Sequence, residues 1–212
     1  VRSRGLGDVY KRQVETGTPF IFFRDTVNAA NPNKHAGMIY ASNLCHEIAQ
    51  NVGFTNLAEE IINEDGTITT KTNTGDMVTC NLNSISLGRI SDEELEENIA
   101  LQIRMLDNVI SINQAPVPES RMTSDKYRAI GLGTSGYHHY LVNHDIQWES
   151  DEHIEVADKL FENIAYYSIK ASMELAKEKG AYPAFKGSEW ETGEYFTPVS
   201  YTHLRAHETV LD

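Results

Sequence analysis

The sequence contains no apolar run of about 18 residues, so it predicts no membrane-spanning helix. Cysteine is scarce. Two residues, Cys45 and Cys80, are too few for a disulfide scaffold, and a reducing cytoplasmic location is expected. Basic charge is also in deficit, with 18 Lys and Arg against 31 Asp and Glu. The resulting net charge of −13 argues against duplex nucleic acid or an anionic membrane as the main partner. The N-terminus is charged and lacks an apolar stretch, so no signal peptide is expected. Internal repeats and low-complexity tracts are absent. What is present is an ordinary globular composition, 40% hydrophobic and 23% charged over 212 residues. That excludes a disordered chain and gives length for one large domain or two small ones.

The two ends differ from the rest. Residues 1–13 and 199–212 continue no helical or strand pattern and resemble translated sequencing-adapter DNA. They are expected to be non-native ends flanking a fragment, residues 14–198, and are set aside from fold reasoning.

Within 14–198 the apolar run Pro19–Phe23 reads as a buried strand, and the Asn-rich stretch 28–37 as a loop. Residues 63–76 look like an exposed hairpin, and Met77–Cys80 resumes a strand-like run. A helix is predicted after Ser91, with Glu94 completing a capping box and Leu95, Ile99, Ile103, Leu106 and Ile110 forming one apolar stripe. Pro116 and Pro118 mark its end. A second helix starts at Ser150 or Asp151 and stops at Gly180, with Ile154, Ala157, Phe161, Ile164, Ser168, Ala171 and Leu175 as its stripe. Between them, 128–143 reads as strand, glycine turn and helix. Strands separated by long helices give an α/β fold class.

Three groups of residues have the look of chemistry. Gly131-Leu132-Gly133-Thr134-Ser135-Gly136 spells a dinucleotide fingerprint, but no apolar strand precedes it and residues near 155 fall inside a helix rather than after a second strand. Small residues at a tightly packed strand–helix turn are the preferred reading. His138, His139, His144 and His153 lack the spacing and the companion Cys or carboxylates of a metal site. The third group is Asn43-Leu44-Cys45-His46-Glu47, with Cys80 downstream. On an extended chain Asn43, Cys45 and Glu47 share one face, and an amide, a thiol and a carboxylate would converge. On a helix Cys45 would point nearly opposite the other two. Joint action therefore requires an extended segment, such as a loop tip or strand end. Spacing alone also admits a plain apolar-like cysteine beside a surface glutamate.

Asn43-Leu44-Cys45-His46-Glu47-Ile48, preceded by Ile39-Tyr40-Ala41-Ser42, resembles the active-site finger of the large catalytic subunit of class I ribonucleotide reductases. The likeness continues in order through 19–28 (PFIFFRDTVN), Cys80-Asn81-Leu82, Leu87-Gly88, Ile130-Gly131-Leu132-Gly133 and 170–180 (KASMELAKEKG). It implies a partial ten-stranded α/β barrel in which a finger loop carries the chemistry.

In that family the residue matching Cys45 becomes a thiyl radical that takes hydrogen from C3′ of a ribonucleotide. The match to Glu47 accepts the 3′-hydroxyl proton, and the match to Asn43 holds the substrate. The match to Cys80 is half of a redox-active pair. Asn43, Leu44, Cys45 and Glu47 are thus expected to bind substrate, in a dry pocket walled by Ile39, Leu44 and Ile48. No cofactor or metal is expected in this region. The resemblance implies a dimetal small subunit that generates the radical, thioredoxin or glutaredoxin as reductant, homodimerisation and allosteric nucleotides. The second member of the Cys80 pair has no counterpart here, since Cys45 holds the radical position, so the polypeptide alone is expected not to turn over. Alternatives are a cobalamin-dependent relative, disfavoured by the Asn-Leu-Cys-x-Glu form, and a non-catalytic module that binds nucleotide or a partner.

Overall fold

The computed structural model describes residues 2–197, so the expectation for 199–212 lies outside the described residues. The chain begins with helix α1 (Arg2–Thr16), where no regular element is predicted. No apolar stripe announces this helix, and its side chains from 7 onward are exposed or half-exposed. Its side-chain support is local, such as the i,i+4 pair Lys11–Glu15 at 3.9 Å.

Pro19–Phe23 is not the buried strand its apolarity suggests. The segment is irregular, with Phe20 51% and Phe23 62% exposed, because among the described residues no strand pairs with it. Helix α2 (Arg24–Ala29) follows. Its Asn28 side chain acts as a one-residue strand partner, donating to the Ile39 carbonyl at 2.8 Å and accepting from the Ile39 amide at 2.9 Å. Ile39 is thereby fixed, buried, at the entrance to the finger.

The exposed hairpin is present and longer than predicted: β1 (Asn56–Ile62) pairs antiparallel with β2 (Ile68–Asn73). Its turn closes through Asn63, whose carbonyl accepts from Gly66 at 3.0 Å and whose amide donates to the Thr67 carbonyl at 2.9 Å. Asp65 accepts from the Thr67 amide at 2.9 Å, as short polar turn residues do. The strand-like run at 77–80 is irregular, and the strand starts later, as β3 (Leu82–Ser86).

Helix α3 (Leu95–Ile112) buries all five predicted stripe residues. It starts four residues after Ser91, yet half the capping box survives, with the Ser91 amide donating to Glu94 Oε2 at 2.9 Å. The prolines then do more than stop α3. Pro118 opens α4 (Pro118–Tyr127), a helix not predicted, by occupying a first-turn position that needs no N–H donor.

Strand β4 (Gly131–Ser135) pairs parallel with β3, Leu82 opposite Gly131 and Ser86 opposite Ser135. Helix α5 (Tyr137–Asn143) follows Gly136, whose positive φ of 68° makes the turn. Helix α6 (Asp151–Lys179) is capped by Ser150, which accepts from the His153 amide, and ends at Gly180. Its buried face is Leu160, Ile164 and Leu175. Ile154, expected in the stripe, is 68% exposed, and Phe161 is 42% exposed; this end of α6 packs on α5 through the His153 and Phe161 rings, both against Tyr137. A short α7 (Glu189–Thr192) and a 3-10 turn (Glu194–Phe196) that buries Phe196 close the described chain.

The core lies between the β3–β4 pair, α3, α5 and α6, with Ile85, Ile99, Ile103, Leu141 and Leu160 at its centre. Ion pairs rim it. Arg104 grips Glu178 with two bonds of 2.9 and 2.6 Å, and Asp107 holds both Arg128 and Lys179 at 2.6 Å. The fold is mixed helix and strand. Among the described residues the strands form two separate two-stranded sheets and no closed barrel.

Candidate active site

The finger, residues 39–50, runs without regular structure from buried Ile39 to buried Ile48. Its tip is a turn rather than the extended, alternating segment expected. The His46 amide donates to the Asn43 carbonyl at 3.2 Å, and His46 adopts a left-handed φ of 62°. That conformation breaks the every-second-residue register and brings residues 43 and 47 together across the turn. Asn43 is the clasp. Its Oδ1 accepts from the Ile48 amide at 3.1 Å, while its Nδ2 donates to Glu47 Oε1 at 2.5 Å. Ser42 Oγ donates to the Ile48 carbonyl at 2.6 Å and closes the base of the loop.

The same Asn43 Nδ2 stands 3.5 Å from Cys80 Sγ. Asn43, Glu47 and Cys80 are therefore one hydrogen-bonded set. Cys45 and Leu44 do not join it. Both sit exposed at the turn, Leu44 87% so, which leaves Ile39 and Ile48 as buried walls without the third expected member. An open cavity of about 610 Å³ lies beside the set, lined among others by Ser42, Asn43, Ile48, Asp76 and Cys80. Cys45, Leu44 and Glu47 are not in its lining. Such a cavity offers an amide and a thiol to a polar ligand of small-molecule size.

His46 is a positional residue that sequence reasoning passed over. Its ring packs on Phe20 at 5.1 Å and edge-to-face on Phe22 at 5.6 Å, which docks the irregular 19–23 segment on the finger tip. Three aromatic rings at 20, 22 and 46 were visible, but their contact depends on a turn that no periodicity signals.

The two discounted motifs have plain structural places. Gly131 and Gly133 lie inside β4 instead of in a loop after it, and a Cβ on Gly131 would meet Leu82 Cδ2 at 2.3 Å. His144 and His153 turn their Nδ1 atoms to the carbonyls of Tyr140 and Trp148, at 2.8 and 2.6 Å.

The chain matches the family model described as ribonucleotide reductase, barrel domain, over residues 6–209. It belongs to the ribonucleotide reductase barrel-domain family. A protein named ribonucleoside-diphosphate reductase subunit alpha from Treponema pallidum is 52% identical over 199 residues, 91% of this chain and 24% of its own length. Proteins of the same name from Helicobacter pylori and Synechocystis are each 38% identical, covering 84% and 93% of this chain. They are matched over 27% and 23% of their own lengths, so the chain spans about a quarter of these ribonucleotide reductase relatives. The finger and Cys80 both fall inside the matched region.

Proposed function

We propose that this chain is a central part of the ten-stranded α/β barrel of a class I ribonucleotide reductase large subunit, reducing ribonucleoside diphosphates to deoxyribonucleotides. Residues 14–198 are the barrel segment in this reading, and resequencing across both ends tests the assignment of 1–13 and 199–212 as non-native. The parallel β3–β4 pair, joined through helices, supports a barrel of this kind. The observation that carries the function is the Asn43 amide, bonded to Glu47 and in reach of Cys80 beside an open cavity, in a chain of this family.

Cys45, as a thiyl radical, abstracts hydrogen from C3′ of the bound ribose. Glu47 takes the proton of the 3′-hydroxyl, for which a carboxylate must stand within hydrogen-bond reach. Asn43 orients both the acid and the substrate hydroxyls, and the finger backbone at Leu44 completes the contact. The 2′-hydroxyl leaves as water, and the two electrons and two protons that reduce the sugar come from Cys80 and a second thiol, which become a disulfide. Cys45 returns the hydrogen atom to C3′ as Glu47 returns its proton to the 3′-oxygen, which regenerates the thiyl radical. That partner sulfur must approach Cys80 to a Cα separation under about 7 Å. The radical originates in a separate dimetal small subunit, and thioredoxin or glutaredoxin restores the dithiol. A homodimer in the cytoplasm, controlled by allosteric nucleotides, completes the assembly. In the full-length subunit Cys45→Ser abolishes deoxynucleotide formation, and Glu47→Gln lowers kcat by about 10²- to 10⁴-fold. Undiminished turnover in Cys45→Ser would overturn the assignment.

A further inference from the structure

The segment leading to Cys80 is stitched to α4 at three successive points. Asp76 accepts from Lys126 Nζ at 2.9 and 3.0 Å and from Tyr127 Oη at 2.7 Å. The Met77 amide donates to Thr123 Oγ1 at 2.7 Å, and the Thr79 and Ser124 hydroxyls lie 3.0 Å apart. On its other side the segment crosses the chain returning from the finger. The Gly53 amide donates to the Asp76 carbonyl at 3.1 Å, and a Cβ on Gly75 would stand 2.2 Å from the Gly53 carbonyl carbon and oxygen. Buried Asn51, on the same returning chain, donates to Tyr127 Oη at 3.3 Å. One residue, Asp76, thus holds α4 through its carboxylate and the finger's return through its backbone carbonyl, on the approach to Cys80.

Asp76 has a side chain only 15% exposed and lines the cavity beside Asn43 and Cys80. A carboxylate so withdrawn from water is costly unless both oxygens are bonded, and both are. Charge-assisted bonds of this length are directional and hold their segment in one place.

We infer that Asp76, gripped by Lys126 and Tyr127, is a positioning residue that sets where the Cys80 sulfur stands relative to the Asn43 amide. Its catalytic consequence rests on the reductase reading, in which Cys80 passes electrons to the sugar. Its geometric consequence does not, because Asp76 reaches the thiol through the backbone of 77–79.

The test is site-resolved alkylation of Cys80 and Cys45 by iodoacetamide in the 212-residue chain, read by mass spectrometry. Alkylation needs no turnover, so its outcome is separate from the fate of the radical assignment. Cys80 is exposed like Cys45, but its sulfur is engaged by the Asn43 amide. Asp76→Asn and Tyr127→Phe break that engagement, raise the Cys80 rate about fivefold and leave Cys45 within about twofold of native, as expected for local release of one segment. Asp76→Glu, which keeps the charge, restores the native Cys80 rate. An unchanged Cys80 rate, both thiols rising together, or a glutamate variant as fast as the asparagine variant would each overturn the inference. Tyr127→Phe removes one hydroxyl at constant ring volume and decides the matter where Asp76→Asn unfolds.

Discussion

The Asn43 amide nitrogen stands 3.5 Å from the sulfur of Cys80, a residue 37 positions away. The same nitrogen donates to Glu47. One side chain therefore couples the acid of the finger to a thiol on a different segment, while its own oxygen closes the finger turn on the Ile48 amide. An amide suits this place because it donates from one end and accepts at the other.

Replacing Asn43 tests that coupling. Asn43→Ala removes the clasp on Ile48 and costs roughly 1–3 kcal/mol in denaturant unfolding. Hydrogen exchange at the His46 and Ile48 amides accelerates, while amides of α3 keep the protection set by the variant's lower global stability. Unchanged exchange at His46 and Ile48 would show that the turn holds without the side chain.

The glycine crossing allows a sharper test of shape. A Cβ at Gly75 collides with backbone, which cannot rotate away as a side chain does. Gly75→Ala should cost about 1–3 kcal/mol and lower Tm by several degrees. Gly7→Ala, where the added carbon meets nothing within 4 Å and the residue lies inside α1, does not lower Tm.

Asp107 sets an acid limit on stability. Partial burial pushes its carboxyl up, but hydrogen bonds from Lys179 and Arg128 outweigh this and hold it below the ordinary carboxylate value. A folded-state value below the unfolded one adds stability that is complete above about pH 4. It is lost as the pH falls through the folded-state value. Asp107→Asn therefore lowers Tm at neutral pH and flattens its decline in acid, measured by thermal melts from pH 7 to pH 2.

The core stripe predicts its own penalty. Ile99 is fully buried among Ile85, Leu141 and Leu160. Ile99→Ala should cost about 2–5 kcal/mol, whereas Ile154→Ala on the exposed turn of α6 stays near native.

Periodicity made α3 legible down to its five buried residues, and capping chemistry located both ends of α6 at Ser150 and Gly180. Those signals are local, and the structure depends on them locally. The failures have long-range causes. Phe20 and Phe23 are apolar enough for a strand, but a strand exists only with a neighbour to bond. Pro118 reads as a stop because its effect on the preceding helix is easier to see than its fitness to begin the next. At the candidate site, the residue types at 43, 45, 47 and 80 were readable, and family likeness supplied their roles. Their arrangement was not readable, because the left-handed His46 exchanged an alternating strand for a turn. Asp76 and Tyr127 carried no motif, and only the folded chain brings residues 51 apart in sequence into one hydrogen bond.

The most direct test of the central claim is electron paramagnetic resonance on the full-length subunit mixed with its radical-generating partner and a 2′-substituted nucleotide analogue. A nucleotide-derived radical appears with the native protein and with Cys80→Ser, and is absent with Cys45→Ser. A signal of equal size in the Cys45→Ser protein would contradict the assignment of the radical to this finger.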